Sequence, residues 1–423
     1  MLLIFLACAP DDANERRPGP SVPDSTVPTV PDVVDTGDGA AADTAADTAV
    51  VEDIAGDGQP EEEDLSDQLF GLDVVHTAEL TLTQSAIDSL AIEPYTYVEA
   101  ELTFDGERLD PVAMRIKGRL GSFRTIDGKP ALKIDLNHFS DQELFGLERL
   151  NFNNMVQDDS MTHEVIAYAL FNAVGVSAPR VGYVWVTING EAYGLYSHVE
   201  VYDDTWLKRT YDDPSGNLYD GDYFLHDSGS YTLIDFNGSS EQYFNLDEGK
   251  DVGFADILGV TVALAGAGSE PYEALDAVLD MDHFLRMWAT EAWLGHYDGY
   301  AYNSNNYRVY FDPTDGRARM HPWDPDWAFY SATPLTSPAG DLASTCLLAA
   351  SCRAEFVATL QDVKAAASTS GLQATLQEAT ELIGPYVDAD PRKERTTSAI
   401  YTGQSNQMAW LINRDQALAV YGW

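Results

Sequence analysis

The sequence predicts an α+β fold whose strands come first and whose helices come last, set behind an acidic segment that does not fold. Three observations predict it. Between residues 79 and 200, apolar and polar residues alternate in short runs separated by glycine-bearing turns, the period of half-buried strands. From residue 276 onward, apolar residues recur at helical spacing. Residues 9–67 carry 17 acidic side chains against Arg16 and Arg17 alone, with repeated Pro and almost no aromatics, and so cannot bury enough surface to fold.

The 423 residues, 45% of them hydrophobic, suffice for a substantial core and two lobes. A net charge of -45, from 69 acidic against 24 basic residues, excludes a sequence-independent grip on nucleic-acid phosphates and disfavours docking on anionic lipid. Membrane attachment is expected only through the start, where Met1 to Cys8 reads as a lipoprotein-type export signal with Cys8 as the lipidated residue. The run is short and no Lys or Arg precedes it. Residues 9–67 then act as an extended acidic linker. The chain is expected to be exported, as a cell-envelope lipoprotein or an extracellular protein, and to be monomeric. Cys346 and Cys352 are spaced to close a small loop as a disulfide, or stand as two buried thiols.

The strand-rich part spans residues 68–201. Glu79 to Leu82 and Tyr97 to Phe104 alternate as strands, with Asp105-Gly106 as the next turn. Met114 to Lys117 leads into a glycine turn, Gly118-Arg119-Leu120-Gly121-Ser122, and Ala131 to Leu136 follows as a strand. In that strand the pleat sends Leu132, Ile134 and Leu136 one way and Lys133 the other. Backbone amides of a glycine turn plus one ammonium can hold a nucleotide phosphate, although a plain hairpin would look the same. Asp158-Asp159-Ser160 supplies caps for a helix from Met161 to Val174 that stops at Gly175. Glu164, in its first turn, suits the helix dipole or can reach Lys133. Val181 to Ile188 and Tyr193 to Glu200 bracket Asn189-Gly190 as a hairpin, the first strand being apolar on both faces and so central.

The second part spans residues 202–423. Tyr202 to Asp251 is rich in Asp, Gly, Tyr and Ser and reads as a solvated loop region. A helix runs from Asp276 through Leu294, Asn306 to Phe311 and Arg319 to Trp323 read as a hairpin turning at Asp315-Gly316, and residues 342–423 read as largely helical. The stretch from Met281 to Tyr330 therefore delivers Asp298 just past a helix end, Asn303 and Asn306 before a strand, and Asp324 and Asp326 after its partner. Hard carboxylate and amide oxygens of this kind suit magnesium, and a further carboxylate can orient a hydroxyl acceptor.

Several ordered blocks resemble the CotH kinase-like family, atypical relatives of protein kinases named for a spore-coat component. They are Arg115-Ile116-Lys117-Gly118, Lys129-Pro130-Ala131-Leu132-Lys133, Asp159-Ser160 through Gly175, Asn189-Gly190 with Tyr193-Gly194-Leu195-Tyr196 and Glu200, Asn306-Tyr307, and Pro322-Trp323-Asp324-Pro325-Asp326. The similarity spans residues 75–423 and departs from the family at His163, where Arg is expected, and at Pro325, where Leu is usual. It implies a bilobal kinase-like fold that transfers the ATP γ-phosphate to Ser or Thr of a protein, with magnesium or manganese. The resemblance makes Asp298 the catalytic aspartate and Asp324 a metal ligand, with Asp326 as a second ligand or a structural acid. Lys133, braced by Glu164, contacts the nucleotide, as do Gly118, Arg119, Gly121, Ser122 and Glu200. For the amide ligand it favours Asn306, although Asn303 reproduces the His-x-Asp-x-x-x-x-Asn spacing from His296. Two other readings stay open: a catalytically inactive surface or coat-assembly lipoprotein, and a calcium-stabilised carbohydrate-active domain.

Overall fold

The computed structural model describes residues 64–423 apart from Asp227 and Asp251, so the export signal, Cys8 and the linker through Glu63 lie outside the described residues. The first half is strand-rich. It contains β1 (Val75–Thr81), α1 (Gln84–Ile92), β2 (Val98–Phe104), β3 (Glu107–Lys117), β4 (Ala131–Asp135), β5 (Arg149–Asn153), α2 (His163–Ala173), β6 (Val181–Ile188) and β7 (Glu191–Val199). The strands close into a barrel in the order β1-β2-β3-β4-β5-β7-β6. All neighbours are antiparallel except β1 and β6, whose parallel pairing seals it. β6 is thus central, as its apolar character on both faces predicts.

Alternation fills the barrel: Leu102, Ile116, Leu132, Ile134, Phe152 and Val184 point inward and are fully buried. Each such side chain contributes roughly 1.5–3 kcal/mol over leaving it in water. Their strand neighbours, among them Lys117, Lys133 and Asn153, therefore face out of the barrel. That outward face carries the chemistry.

The second half is mainly helical. It begins with α3 (Asp204–Thr210), β8 (Asn217–Asp220), β9 (Phe224–Leu225), β10 (Tyr231–Thr232), β11 (Asn245–Glu248), α4 (Ala255–Gly266) and α5 (Pro271–Asp276). It continues with α6 (Met281–Leu294), α7 (Tyr300–Asn303), β12 (Tyr307–Asp312), β13 (Arg317–Pro322), α8 (Asp341–Leu348), α9 (Ala350–Thr369), α10 (Leu372–Ala389) and α11 (Thr397–Leu418). One continuous core joins α2 to these helices through Ile166, Leu170, Phe284, Leu285, Trp288 and Phe356, with Trp288 stacked on Phe356 at 3.7 Å. Cys346 and Cys352 form a disulfide that ties α8 to α9. No helix of the described residues is long and apolar enough to cross a membrane.

Residues 202–251 correct the expectation of a solvated loop. β8 sits inside a sheet of order β11-β8-β12-β13, and Leu218, Tyr219, Ile234 and Phe236 are buried. The flanking glycines are packing devices: a Cβ on Gly216 would lie 2.1 Å from Phe311 O, and one on Gly221 would lie 2.3 Å from the Tyr307 ring. A second correction is local. β12 starts at Tyr307 because Asn306 takes a left-handed φ of 53°.

Candidate active site

The site begins as a row across the outer barrel face. Register pairs Lys117 with Ala131 and Asn153 with Ser197, so one line of the sheet presents Lys117, Asn153 and Ser197 to the helical half. Lys117 Nζ donates to Asn153 Oδ1 at 2.7 Å, and Asn153 Nδ2 donates to Glu164 Oε1 at 2.5 Å. The Ser197 hydroxyl donates to Glu164 Oε2. Glu164 stands in the first turn of α2 and is buried. Burial, then the Asp324 charge, pushes its carboxyl up to about 7 against the pull of Ser197, Asn153 and Lys117.

This geometry corrects the expected bracing of Lys133 by Glu164. Glu164 is held by Asn153 and Ser197, and the ammonium whose charge acts on both Glu164 and Asp324 is Lys117. Lys133 is half-buried in mid-β4 opposite Arg115 and Asn151, one pleat repeat, about 7 Å, from Ala131. Lys117 carried a signal of its own in the sequence. It is the last strand residue before the glycine turn.

The acidic stretch follows β13. Trp323 N donates to Asn306 O at 2.9 Å, and Lys117 Nζ lies 5.5 Å from a Trp323 ring centroid. Asp324 adopts a left-handed φ of 41°, and its N–H donates to Tyr168 Oη on α2 at 3.1 Å. Asp326 carbonyl O sits 2.7 Å from His163 Nδ1, so the histidine at the position where arginine was expected anchors this turn. Burial raises the Asp324 carboxyl, while Lys117 and Arg308 draw it down. The Asp326 carboxyl is raised well above the usual range by burial and then by the charges of Asp324, Glu164 and Asp298. Among the described residues, no side chain or backbone group hydrogen-bonds to either carboxylate. Two acids one residue apart, the first raising the second and both with bare oxygens, are a donor set that fits a hard divalent cation.

α6 ends at Gly295, which takes a left-handed φ of 64° and turns the chain toward His296 and Asp298. The His296 ring is fully buried and held neutral, its pKa lowered to about 3 by burial. Asp298 Oδ1 accepts from Asn303 Nδ2 at 2.5 Å, and Oδ2 accepts from Asn305 and Asn306 at 3.3 and 3.0 Å. The rival amides Asn303 and Asn306 thus converge on one carboxylate, joined by an asparagine that sequence reasoning missed. Burial raises the Asp298 carboxyl, the Asn303 and Asn305 amides pull it back, and Asp324 adds repulsion.

The glycine turn uses positive φ at Gly118 (95°) and Gly121 (91°). Arg119 N donates to Ser122 Oγ at 3.2 Å. The Arg119 guanidinium donates to Tyr223 O at 2.8 Å, faces Asp222 at 3.2 Å and covers the Tyr223 ring at 5.1 Å. The turn is therefore tethered to residues 222–223 of the second half. Glu200, expected at the nucleotide, is instead gripped by Arg180 at 2.6 Å and Arg209 at 2.6 Å, an ion cluster at the exit of β7. Asp158, Asp159 and His163 lie close enough to resemble a metal group. Asp158 is already filled by N–H donors of Ser160, Met161 and His163, so it fixes the turn that leads into α2, whose N-cap Thr162 makes no side-chain cap bond.

A family model described as CotH kinase protein matches residues 114–418. The inner spore coat protein H of Bacillus subtilis (strain 168) is 24% identical over 193 residues, 43% of this chain and 50% of that protein, so the chain spans half the length of this curated relative. Among solved structures, the Helicobacter pylori proinflammatory kinase CtkA matches at TM-score 0.28 and 14% identity over 71% of this chain and 90% of its own. The Shewanella oneidensis MR-1 toxin–antitoxin complex of HipA, HipB and operator DNA matches at TM-score 0.28 and 12% identity, over 70% of this chain and 66% of that chain.

Proposed function

Because the chain belongs to the CotH kinase protein family, we propose that it is an exported phosphotransferase that moves the ATP γ-phosphate to a Ser or Thr hydroxyl of a protein. The observation that carries the reading is electrostatic. Glu164, Asp298, Asp324 and Asp326, drawn from α2, the loop after α6 and the turn after β13, lie near enough to perturb one another, with Lys117 as the facing cation.

In this reading Asp298 accepts the hydrogen bond of the acceptor hydroxyl, and its raised carboxyl suits proton uptake as the bond to phosphorus forms. Asn303, Asn305 and Asn306 fix its orientation. Lys117, held by Asn153, which Glu164 fixes in turn, contacts the ATP phosphates, and the Gly118–Ser122 turn covers them. Magnesium or manganese, held by Asp324, Asp326 and Asn306, would neutralise phosphate charge. Catalysis is then positioning plus neutralisation. The disulfide of Cys346 and Cys352 supports an oxidising compartment and hence export. Transfer is tested by incubating the purified full chain with labelled ATP and magnesium or manganese, reading casein and the chain itself by mass spectrometry. Asp324→Ala should abolish metal-dependent transfer with an unchanged circular dichroism spectrum, and an active Asp324→Ala protein refutes the assignment.

A further inference from the structure

Two buried carboxylates outside the cluster have no role in that reaction, and both end on α7, the single helical turn that follows Asp298. Glu291 on α6 is fully buried and accepts the first two N–H groups of α7, from Tyr300 at 3.0 Å and Ala301 at 2.8 Å. Gly299 makes room for it, since a Cβ there would lie 2.5 Å from Glu291 Oε1. Asp235, 3% exposed, holds the same turn from outside. It accepts from Tyr300 Oη at 2.9 Å and, past the end of the turn, from Ser304 Oγ at 2.9 Å. Its remaining bonds come from Phe236 N at 2.8 Å and Asp341 N at 2.9 Å, so it is immobilised by its own loop and by α8.

We infer that Glu291 and Asp235 form a clamp on the two ends of α7 that positions Asn303, Asn305 and Asn306 around Asp298, making both acids positioning residues for phosphoryl transfer. The inference rests on the phosphotransferase reading. Its physical basis is the chain between clamp and amides. Ser304 sits at a left-handed φ of 44° between Asn303 and Asn305, a conformation uncommon for serine, and Asn306 follows at 53°, which asparagine adopts more readily. The Ser304 bond to Asp235 holds the chain directly at that serine. A side chain whose two oxygens each accept one N–H group also cannot be replaced by its amide, because one of the two oxygens becomes an NH2 donor facing an N–H.

Glu291→Gln and Asp235→Asn in the full chain should therefore each lower kcat for casein phosphorylation roughly a hundredfold through misplacement of the acceptor carboxylate, while KM for ATP stays within about threefold. A purely structural role would instead lower the fraction folded and leave the kcat of the folded fraction alone. Coupling is the sharper readout. Adding Asn303→Ala to either variant should cost much less than the two single losses multiplied, because both act on one carboxylate. Full multiplicativity, or a wild-type kcat in either folded variant, overturns the clamp. Should either variant fail to fold, Ser304→Ala removes one bond only and should lower kcat about tenfold while costing only a few degrees of melting temperature. An unchanged kcat there also counts against the clamp. A wild-type protein that transfers no phosphate would remove the phosphotransferase reading instead, and manganese affinity by spin resonance then tests the clamp alone, as a roughly tenfold weakening in Glu291→Gln. Unaltered manganese affinity would end it.

Discussion

Lys117 and Lys133 leave neighbouring strands on the same side of the barrel, and their surroundings separate them. Lys117 reaches Asn153 at 2.7 Å and carries charge to Asp324 and Glu164, whereas Lys133 sits opposite Arg115, a like charge on the adjacent strand. If phosphate contact belongs to Lys117, Lys117→Met should lower kcat/KM for ATP roughly a hundredfold, and Lys133→Met should change it by less than about threefold. Steady-state kinetics of the two variants decide this, and the reverse order of damage would return the role to Lys133. At this scale the sequence disclosed residue types but not pairings. Asp298, Asp324 and Asp326 are each adjacent to a turn or helix end, and acids there are conspicuous. Which lysine meets them depends on a register between β3 and β4 that spans a long loop, and a two-residue offset along one face leaves no mark on periodicity. Asn305 was equally silent, since an asparagine between two others reads as turn composition.

Elements with a strong local period were legible: β2, the β6–β7 hairpin with Asn189-Gly190 at its tip and α2 stand where alternation or helical spacing put them, while α6 ends at Leu294 as expected but starts at Met281, behind its Asp280 cap, and not at Asp276. β8 was not, because a short strand bounded by Gly216 and Gly221 has the composition of a loop, and only the rings and carbonyl packed against those glycines explain them. The same logic marks the joint between the barrel and α10. Asp390, at the end of α10, accepts from buried Lys129 at 2.6 Å and from Leu195 N at 3.1 Å, and a Cβ on Gly194 would fall 2.1 Å from its Oδ1. Burial pulls the Lys129 pKa down while Asp390 opposes it. Removing the acid alone strands a buried ammonium, so Asp390→Ala should cost about 3–5 kcal/mol, and adding Lys129→Met should restore part of it. Gly194→Ala, at a φ of 102° and with no space, should cost about 3 kcal/mol or more. Urea unfolding measures all three, and a neutral Gly194→Ala would mean that α10 can move off the barrel.

For the molecule as a whole, the surplus of acid over base, 69 against 24, was plain in the sequence and argued against a sequence-independent grip on nucleic-acid phosphates, but it could not reveal how many carboxylates the fold takes out of water. Burial raises Glu164 to about 7, Asp203 to about 7, Asp222 to about 7, Asp235 to about 6 and Glu291 to about 8. Every one of these values lies above that of the unfolded chain, so the fold prefers the protonated form. The stability this contributes is complete below about pH 4 and is lost as pH rises through 6 to 8. The melting temperature should accordingly be higher at pH 5.5 than at pH 8.5 in metal-free buffer. A cation that binds only the folded protein opposes the loss, by about 2.7 kcal/mol at a hundredfold excess over its dissociation constant. Magnesium should thus raise the melting temperature more at pH 8.5 than at pH 5.5, beyond what sodium chloride of equal ionic strength achieves by screening. Asp324→Asn, which removes a charge from the cluster, should lift the metal-free value at pH 8.5 and abolish most of the magnesium increment. Calorimetry on the two proteins at the two pH values separates the contributions. A metal-free melting temperature that climbs from pH 5.5 to 8.5 would show that the buried acids are paired in solution, and an intact magnesium increment in Asp324→Asn would move the cation away from this cluster.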